Sequence, residues 1–138
     1  MAAGSQGSPR LRSSYRYDDL DVLTVLLSGE LDEGTALVVV RAVTFALDKR
    51  PHALVLDLAD LSALTRAGLH VLRAAQDRAA TEGVALRLVV PAAGVAGRTL
   101  AEAGMAAVFD VYPDLAAARV ENDRTRFLRR MRRRLGGR

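Results

Sequence analysis

The sequence predicts an α/β fold, in which a mostly parallel sheet of four to five strands packs with about four helices. Short runs rich in Val and Leu alternate along the chain with longer segments whose apolar residues recur every three or four positions, as on one face of a helix. Glycine, proline or polar residues separate these segments. Strands that alternate with helices of this length need right-handed crossover connections, and such connections produce a largely parallel sheet.

The first predicted elements are two strands, residues 15–19 and 22–28, which a polar turn joins as an antiparallel hairpin. The second run is apolar at nearly every position, which is typical of a central strand that is buried on both faces. A helix over residues 35–48 follows. Its predicted inward stripe is Leu37, Val40, Val43 or Thr44, and Leu47.

The rest of the chain continues the alternation without an internal repeat. A glycine follows two of the later helices, as expected at a helix C-terminus. The remaining elements are predicted as a strand at 53–58, a helix from 69 to Gly83, a strand at 86–90, a helix at 95–103, a strand at 108–112 and a helix from 114.

The composition sets limits on the class of protein. A chain of 138 residues, half of them hydrophobic, is long enough for one domain with a substantial core. It contains no cysteine, which excludes disulfides, thiolate metal sites and a cysteine nucleophile. No stretch approaches the roughly 18 to 20 apolar residues that cross a bilayer. Residues 1–14 are predicted to be a disordered leader without the apolar core of a signal peptide, and we expect a cytoplasmic protein.

Charge is divided unevenly along the chain. The residues up to Asp123 include 12 basic and 16 acidic side chains, a net charge of −4, whereas the last 15 residues carry eight arginines and no acid. We therefore separate a domain at 15–118 from a basic tail at 119–138. The tail can be a frayed, solubilising end. Alternatively, it can form a basic amphipathic helix that contacts acidic partners, membranes or nucleic acid non-specifically, with an apolar side made by Phe127, Leu128, Met131 and Leu135.

Nothing in the sequence assembles a catalytic or cofactor site. His52 and His70 have no partners at metal-ligand spacing, so neither is predicted to bind a metal. Asp57 and Asp60 could be paired carboxylates, but Asp57 is better interpreted as a residue that fixes the following loop by hydrogen bonds. The glycines at 94 and 97 lack the lysine and the strand-to-helix context of a phosphate-binding loop. We therefore predict a non-catalytic protein without a cofactor.

Several short motifs together resemble the STAS domain of bacterial anti-sigma factor antagonists, over about residues 15–118. The central motif is a buried strand that ends in Leu56-Asp57-Leu58 and is followed, after a loop, by Thr65-Arg66-Ala67-Gly68-Leu69. The others are the corner Gly29-Glu30-Leu31-Asp32 and the closing pattern of Leu100, Gly104, Val108 and Tyr112-Pro113. Each motif is weak alone, but their common register over a hundred residues is specific to the family.

The resemblance implies a protein-binding function. In this family the segment that matches Thr65-Arg66-Ala67-Gly68-Leu69 usually reads Asp-Ser-Ser-Gly-Leu, and its first Ser is phosphorylated by the anti-sigma factor, a serine kinase, so that the complex breaks. Here Arg66 stands at that position, so the resemblance implies an anti-sigma factor or related regulatory partner without the usual phospho-switch. The predicted partner-binding residues are Asp32, Ser62, Thr65, Arg66, Ala67, Gly68 and Leu69. The family also implies an alternative, an accessory subunit of a signalling assembly or a lipid transport complex.

Two residues of this loop have two interpretations each. The loop, predicted to span residues 62–68, follows the carboxyl end of a strand and precedes a helix, where anions and partners bind in α/β sheets. Thr65 can cap the second helix or be a phosphorylation site. Arg66 can be a solvated surface residue or a partner contact at the tip of the loop.

A second stripe on the first helix also has two interpretations. Val38, Ala42 and Phe45 lie at i, i+4 and i+7, beside the predicted inward stripe, where a surface helix would carry charges. They can form a self-association face of a homodimer. Alternatively, the N-terminal leader or the last helix covers them.

Overall fold

The computed structural model describes residues 3–7, 10–18 and 21–120. These residues form six strands, four α-helices and a single 3₁₀ turn at Ala106–Val108. The strands are β1 (Ala3–Gly7), β2 (Leu11–Tyr17), β3 (Val22–Leu31), β4 (Ala53–Leu64), β5 (Ala85–Val89) and β6 (Val111–Tyr112). The helices are α1 (Ala36–Asp48), α2 (Arg66–Thr81), α3 (Val95–Glu102) and α4 (Leu115–Arg119).

The six strands form one sheet in which each strand lies beside its neighbour in the chain. β1, β2 and β3 pair in antiparallel fashion, whereas β3, β4, β5 and β6 pair in parallel. This arrangement confirms the predicted α/β class, the hairpin and the mainly parallel sheet. The sheet has one strand more than the predicted maximum because β1 adds an edge.

The N-terminal segment differs from the prediction of a disordered leader over residues 1–14. β2 begins at Leu11, whose side chain is fully buried in the core, and Ala3–Gly7 pair with β2 along its length. The prediction failed because Ser13, Ser14 and the arginines around them look polar in sequence. Their backbone groups are nevertheless satisfied by the strand ladder.

The sheet is covered differently on its two faces. Helices α1, α2 and α3 pack on one face with the inward residues of the strands, such as Leu23, Leu54 and Leu88. Right-handed crossovers between consecutive parallel strands place their helices on the same side, which explains this layer. Alternate strand residues point to the opposite face, where Val55 and Val89 pack against Ala118 of α4.

The buried side of α1 is not the predicted one. Leu37 and Val40 are 54% and 45% exposed, whereas Val39 and Ala46 are fully buried together with Ala42, Val43 and Leu47. The helix is apolar at nearly every position, so a three-to-four-residue period fits more than one face. The prediction of Val43 and Leu47 was correct, and the predictions of Leu37 and Val40 were wrong.

The last helix is held at its C-terminal end by two arginines. Arg87, buried in β5, donates a hydrogen bond of 2.9 Å from Nη1 to the carbonyl oxygen of Ala118. Arg119 forms an ion pair with Asp18. The predicted amphipathic helix of the basic tail lies at residues outside the described part of the chain. Within the described part, every helix is too short or too polar to cross a membrane.

Candidate functional site

Two of the sequence motifs meet at the carboxyl ends of β3 and β4. Leu31 and Leu64, the last residues of these strands, lie opposite each other in the parallel ladder. Asp32 and Thr65 follow them directly, and the amide of Thr65 donates a hydrogen bond of 3.1 Å to the carbonyl oxygen of Leu31. The corner that contains Asp32 and the motif that begins at Thr65 are therefore adjacent in space, as the predicted binding site requires.

The segment at 62–68 is not the loop that was predicted. β4 continues to Leu64, so Ser62 is a strand residue with an exposed side chain, and α2 begins at Arg66 rather than after Gly68. Two register shifts against β3 accommodate the additional length of β4. The extension depends on pairing with β3, a contact that the local sequence of β4 does not reveal.

Thr65 caps α2. Its backbone is extended, and its Oγ1 accepts a hydrogen bond of 3.3 Å from the amide of Gly68. The same hydroxyl lies 3.5 Å from the carbonyl oxygen of Leu31, to which it donates. This geometry supports the capping interpretation of Thr65, because the hydroxyl already satisfies one of the free amides of the first turn.

Arg66 is the first residue of α2 and is exposed. Among the described residues it has no hydrogen-bond or ion-pair partner, and the first turn of the helix contains no acidic residue. A cation at a helix N-terminus opposes the helix macrodipole at a cost of a few tenths of a kcal/mol to about 1 kcal/mol. The side chain of Arg66 is thus available to a partner, and its charge lies at the helix end that disfavours a cation.

Gly68 and Leu69 follow in the first turn of α2, and both are buried. A Cβ on Gly68 would come within 2.7 Å of the Leu31 carbonyl oxygen and 2.8 Å of Leu64 Cδ1, so only glycine lets α2 approach the end of β3 this closely. Leu69 is 1% exposed. Their prediction as partner contacts therefore needs correction: these two residues position the start of α2, while Ala67 is partly exposed.

Asp32 is held by a set of local hydrogen bonds. Its Oδ1 accepts from the amides of Gly34 at 2.9 Å and of Thr35 at 3.1 Å, and Arg10 Nη2 lies 2.6 Å from Oδ2. The Arg10 guanidinium, assisted by these donors, holds the pKa of the Asp32 carboxyl below its ordinary value. The charge of Asp32 is consequently balanced within the protein itself.

Arg10 is a site residue that the sequence reasoning missed, because it lies in the predicted leader. Its carbonyl oxygen accepts a hydrogen bond of 2.8 Å from the amide of Glu30. Gly29 makes this approach feasible: its φ is +116°, and a Cβ there would lie 2.1 Å from the Arg10 carbonyl oxygen. The glycine of the Gly-Glu-Leu-Asp corner was the one available signal that another segment comes close.

The stripe that was considered for self-association is covered by β2. Ala42 is buried, and Val38 packs at the margin of the core. The ring of Phe45 lies 4.8 Å from that of Tyr15, and the Nζ of Lys49 lies 4.9 Å above the Phe45 ring. This placement favours the interpretation that N-terminal residues cover the stripe, and β2 supplies the cover.

The remaining candidate residues are dispersed. Asp57 Oδ1 accepts a hydrogen bond of 3.0 Å from the amide of Ala59, a local contact of the kind expected for this residue, although within the longer β4. His52 precedes β4, and His70 lies exposed on α2. In the part of the chain that the structure describes, no cluster of three or more histidine or acidic side chains is arranged to hold a metal ion.

Comparison with known proteins agrees with this architecture. A solved anti-sigma factor antagonist from Mycobacterium paratuberculosis is 27% identical with a TM-score of 0.70, over 82% of this chain and 95% of that one. An RsbS variant from Moorella thermoacetica is 22% identical with a TM-score of 0.61, over 85% and 97% of the two chains. A sulfate transporter family protein from Wolinella succinogenes is 16% identical with a TM-score of 0.61, over 84% and 90%. The last two show a common fold only.

The match to a family rests on sequence as well as on fold. No curated protein sequence matches the chain significantly. The sequence model of the STAS domain matches residues 16–118, which span β2 to α4 and include both motifs of the carboxyl edge. This protein therefore belongs to the STAS domain family.

Proposed function

We propose that this protein is a non-catalytic, cytoplasmic regulator of the anti-sigma factor antagonist type, which binds an anti-sigma factor or a related regulatory protein. The proposed contact region, here called the edge surface, consists of Asp32, Ser62, Thr65, Arg66 and Ala67. Its support is the STAS fold, the 27% identity to an anti-sigma factor antagonist and the adjacency of the two family motifs at one edge of the sheet.

The observation that carries the proposal is that the side chain of Arg66 is exposed and has no partner among the described residues. An exposed guanidinium without a partner, at a helix end that disfavours it, is consistent with a side chain kept for intermolecular contact. The resemblance to the family implies that Arg66 corresponds to the Ser that is usually phosphorylated, and an arginine has no hydroxyl to accept a phosphoryl group. We therefore propose that partner binding is not controlled by the usual serine phosphorylation.

A titration of the cognate anti-sigma factor tests the edge surface. Arg66→Glu should weaken binding by about 1 to 3 kcal/mol, because a complementary contact with an acidic partner becomes repulsive. Arg16→Glu is a matched control, since Arg16 is an exposed β2 residue on the face opposite α1 and α2. If calorimetry finds equal affinities for wild type and Arg66→Glu, the edge surface is not the binding site.

The switch is tested separately by phosphorylation. Incubation with the anti-sigma kinase and ATP should leave the protein without phosphate in intact-mass spectrometry. Stoichiometric phosphate on Thr65 would contradict the proposal. Thr65→Ala is informative in either case, because loss of the cap alone should destabilise the domain by about 1 kcal/mol.

One observation favours a second candidate, an accessory subunit of a signalling or transport assembly. Leu37 and Val40 are exposed one turn apart on α1, so they offer an apolar contact to an assembly partner. Stable co-purification with permease or ATPase subunits, unaffected by Arg66→Glu, would support this candidate over the first.

A further inference from the structure

A cleft opens on the face of the sheet opposite α1, α2 and α3, between the β2–β3 hairpin and α4. Its volume is about 290 Å³, close to the lower limit of about 300 Å³ for small-molecule sites in proteins. The helix α4 has five residues and packs over Val55 and Val89, so it forms a wall of the cleft rather than a cover.

The register of the hairpin determines the floor of the cleft. Arg16 lies opposite Thr24 in the antiparallel ladder, and Ser14 lies opposite Leu26. All four residues line the cleft. Because side chains alternate between the two faces of a strand, Ser14 and Arg16 share one face of β2. A guanidinium group and two hydroxyl groups therefore lie next to an apolar side chain on one floor.

Two polar groups of this floor are unsatisfied. Arg16 is exposed and makes no hydrogen bond or ion pair with any residue that the structure describes. Thr24 is only 4% exposed, and within the same part of the chain its hydroxyl has no hydrogen-bond partner. A buried polar group without a hydrogen bond is costly and is rare in folded proteins. Both groups can donate a hydrogen bond to an acceptor in the cleft.

The wall from α4 contributes a second guanidinium group and an apolar surface. Arg119 Nε and Nη2 contact Asp18 Oδ2 at 2.7 Å and 2.6 Å. Leu115 precedes Arg119 by about one helical turn and lines the cleft together with Leu26. Two arginines and one aspartate give the lining a net charge of +1. The cleft therefore combines a single excess positive charge with an apolar side.

We propose that this cleft binds a small monocarboxylate that has a short apolar chain. The carboxylate of the ligand lies beside the Arg16 guanidinium and accepts a hydrogen bond from the Thr24 hydroxyl, and its chain lies against Leu26 and Leu115. Guanidinium–carboxylate contacts are among the strong hydrogen bonds of proteins. The site is on the opposite side of the sheet from α1 and α2, and the inference does not depend on the proposed function.

The charges of the cleft favour a monoanion over the alternatives. A dianion such as phosphate carries more charge than the net +1 of the lining and also meets the Asp18 carboxylate, which repels it. The basic tail of this chain, with eight arginines in its last 15 residues, is repelled by the net positive charge of the lining.

NMR titrations of the full-length protein with hexanoate, hexylamine, acetate and inorganic phosphate test the ligand class. Hexanoate should shift the amide signals of Ser14 and Thr24 and should saturate. It should bind at least about tenfold more tightly than hexylamine, which carries the opposite charge on a similar chain, and than phosphate. Acetate should also bind at least about tenfold more weakly, because it lacks the longer apolar chain.

Three variants locate the site. Arg16→Gln should weaken hexanoate binding about tenfold, because glutamine is polar but uncharged. Thr24→Val keeps the shape of the side chain without its hydroxyl and should weaken binding at least about threefold. Arg12→Gln is the matched control, since Arg12 is exposed on the same face of β2 but does not line the cleft, and it should leave binding unchanged. Melting temperatures near that of wild type show that the variants are folded.

Several outcomes would overturn the proposal. Hexanoate that does not bind, or that binds wild type and Arg16→Gln equally well, excludes the site, and equal binding of hexylamine removes the role of charge. Tighter binding of phosphate makes the cleft an oxyanion site instead. If deletion of the residues after Asp123 shifts the Ser14 and Thr24 signals without ligand, the tail is the occupant. A wild-type dimer in sedimentation that Arg16→Gln dissociates assigns the cleft to a second copy of this chain.

Discussion

Arg119 and Asp18, which are 101 residues apart in the chain, form an ion pair that joins the end of α4 to the β2–β3 hairpin. Arg119 Nη2 lies 2.6 Å and Nε 2.7 Å from Asp18 Oδ2, and the Asp18 side chain is only 5% exposed. Asp18 also accepts a hydrogen bond of 3.2 Å from the amide of Val22 through Oδ1. One carboxylate thereby shapes the hairpin turn and anchors α4.

The first prediction concerns this carboxylate. Asp18→Ala should destabilise the domain by about 1 to 3 kcal/mol, because it removes charge-assisted hydrogen bonds from two segments at once. Arg119→Ala should cost less, since the hairpin bonds remain. Urea unfolding of both single variants and the double variant gives their coupling energy. A coupling near zero would show that the ion pair contributes nothing to stability.

The second prediction concerns acid stability at the Asp32 corner. Arg10 and the neighbouring amides lower the pKa of Asp32 in the folded protein. Its contribution to stability is therefore fully present above the ordinary value of 3.8 and is lost as pH falls through the lower folded-state pKa. The stability difference between wild type and Asp32→Asn should be constant near neutral pH and should shrink in acid.

Unfolding followed at several pH values, together with NMR titration of the carboxyl group, measures this effect. Arg10→Gln should bring the pKa of Asp32 back toward its ordinary value. A wild-type Asp32 that titrates at or above 3.8 would contradict the assignment of Arg10 as the stabilising partner.

The third prediction tests the close approach of α2 to β3. Alanine is a better helix former than glycine by up to about 1 kcal/mol, so Gly68→Ala would stabilise an unconstrained helix. Here its Cβ would meet the Leu31 carbonyl oxygen at 2.7 Å, and the backbone must shift. We expect a net loss of about 1 to 3 kcal/mol in thermal or urea unfolding.

Gly94→Ala is the control for this experiment, because a Cβ at Gly94 would meet the Pro91 carbonyl oxygen at an ordinary 3.5 Å. It should change stability by less than Gly68→Ala. A Gly68→Ala variant as stable as wild type would mean that α2 can move away from β3 at little cost.

The fourth prediction concerns the basic tail. Deletion of the residues after Asp123 should leave the melting temperature almost unchanged, because the two contacts that hold α4, Arg119 with Asp18 and Arg87 with Ala118, are retained. Any binding to anionic vesicles or to nucleic acid should disappear with the tail, and in the full chain any such binding should weaken steeply with salt. A large fall in melting temperature would show instead that Phe127 and Leu128 belong to the core.

The sequence by itself determined the α/β class, the hairpin and the order of the elements from Tyr15 onward, and it offered Thr65 as a candidate cap of the second helix. These features depend on local patterns: the period of apolar residues, turn glycines and a hydroxyl before a helix. Local patterns also identified the STAS motifs, because the Gly-Glu-Leu-Asp corner and the Thr65–Leu69 segment are contiguous in sequence.

Only the tertiary structure decided which residues those patterns bring together. The buried face of α1 could not be read from a helix that is apolar almost all round, so Leu37 and Val40 were predicted to face inward, whereas Val39 and Ala46 are the buried residues. The strand that contains Leu11 and the extension of β4 to Leu64 exist because neighbouring strands satisfy their backbone groups. Contacts such as Arg10 with Asp32 and Arg119 with Asp18 join distant segments, and no local period encodes a pairing between them.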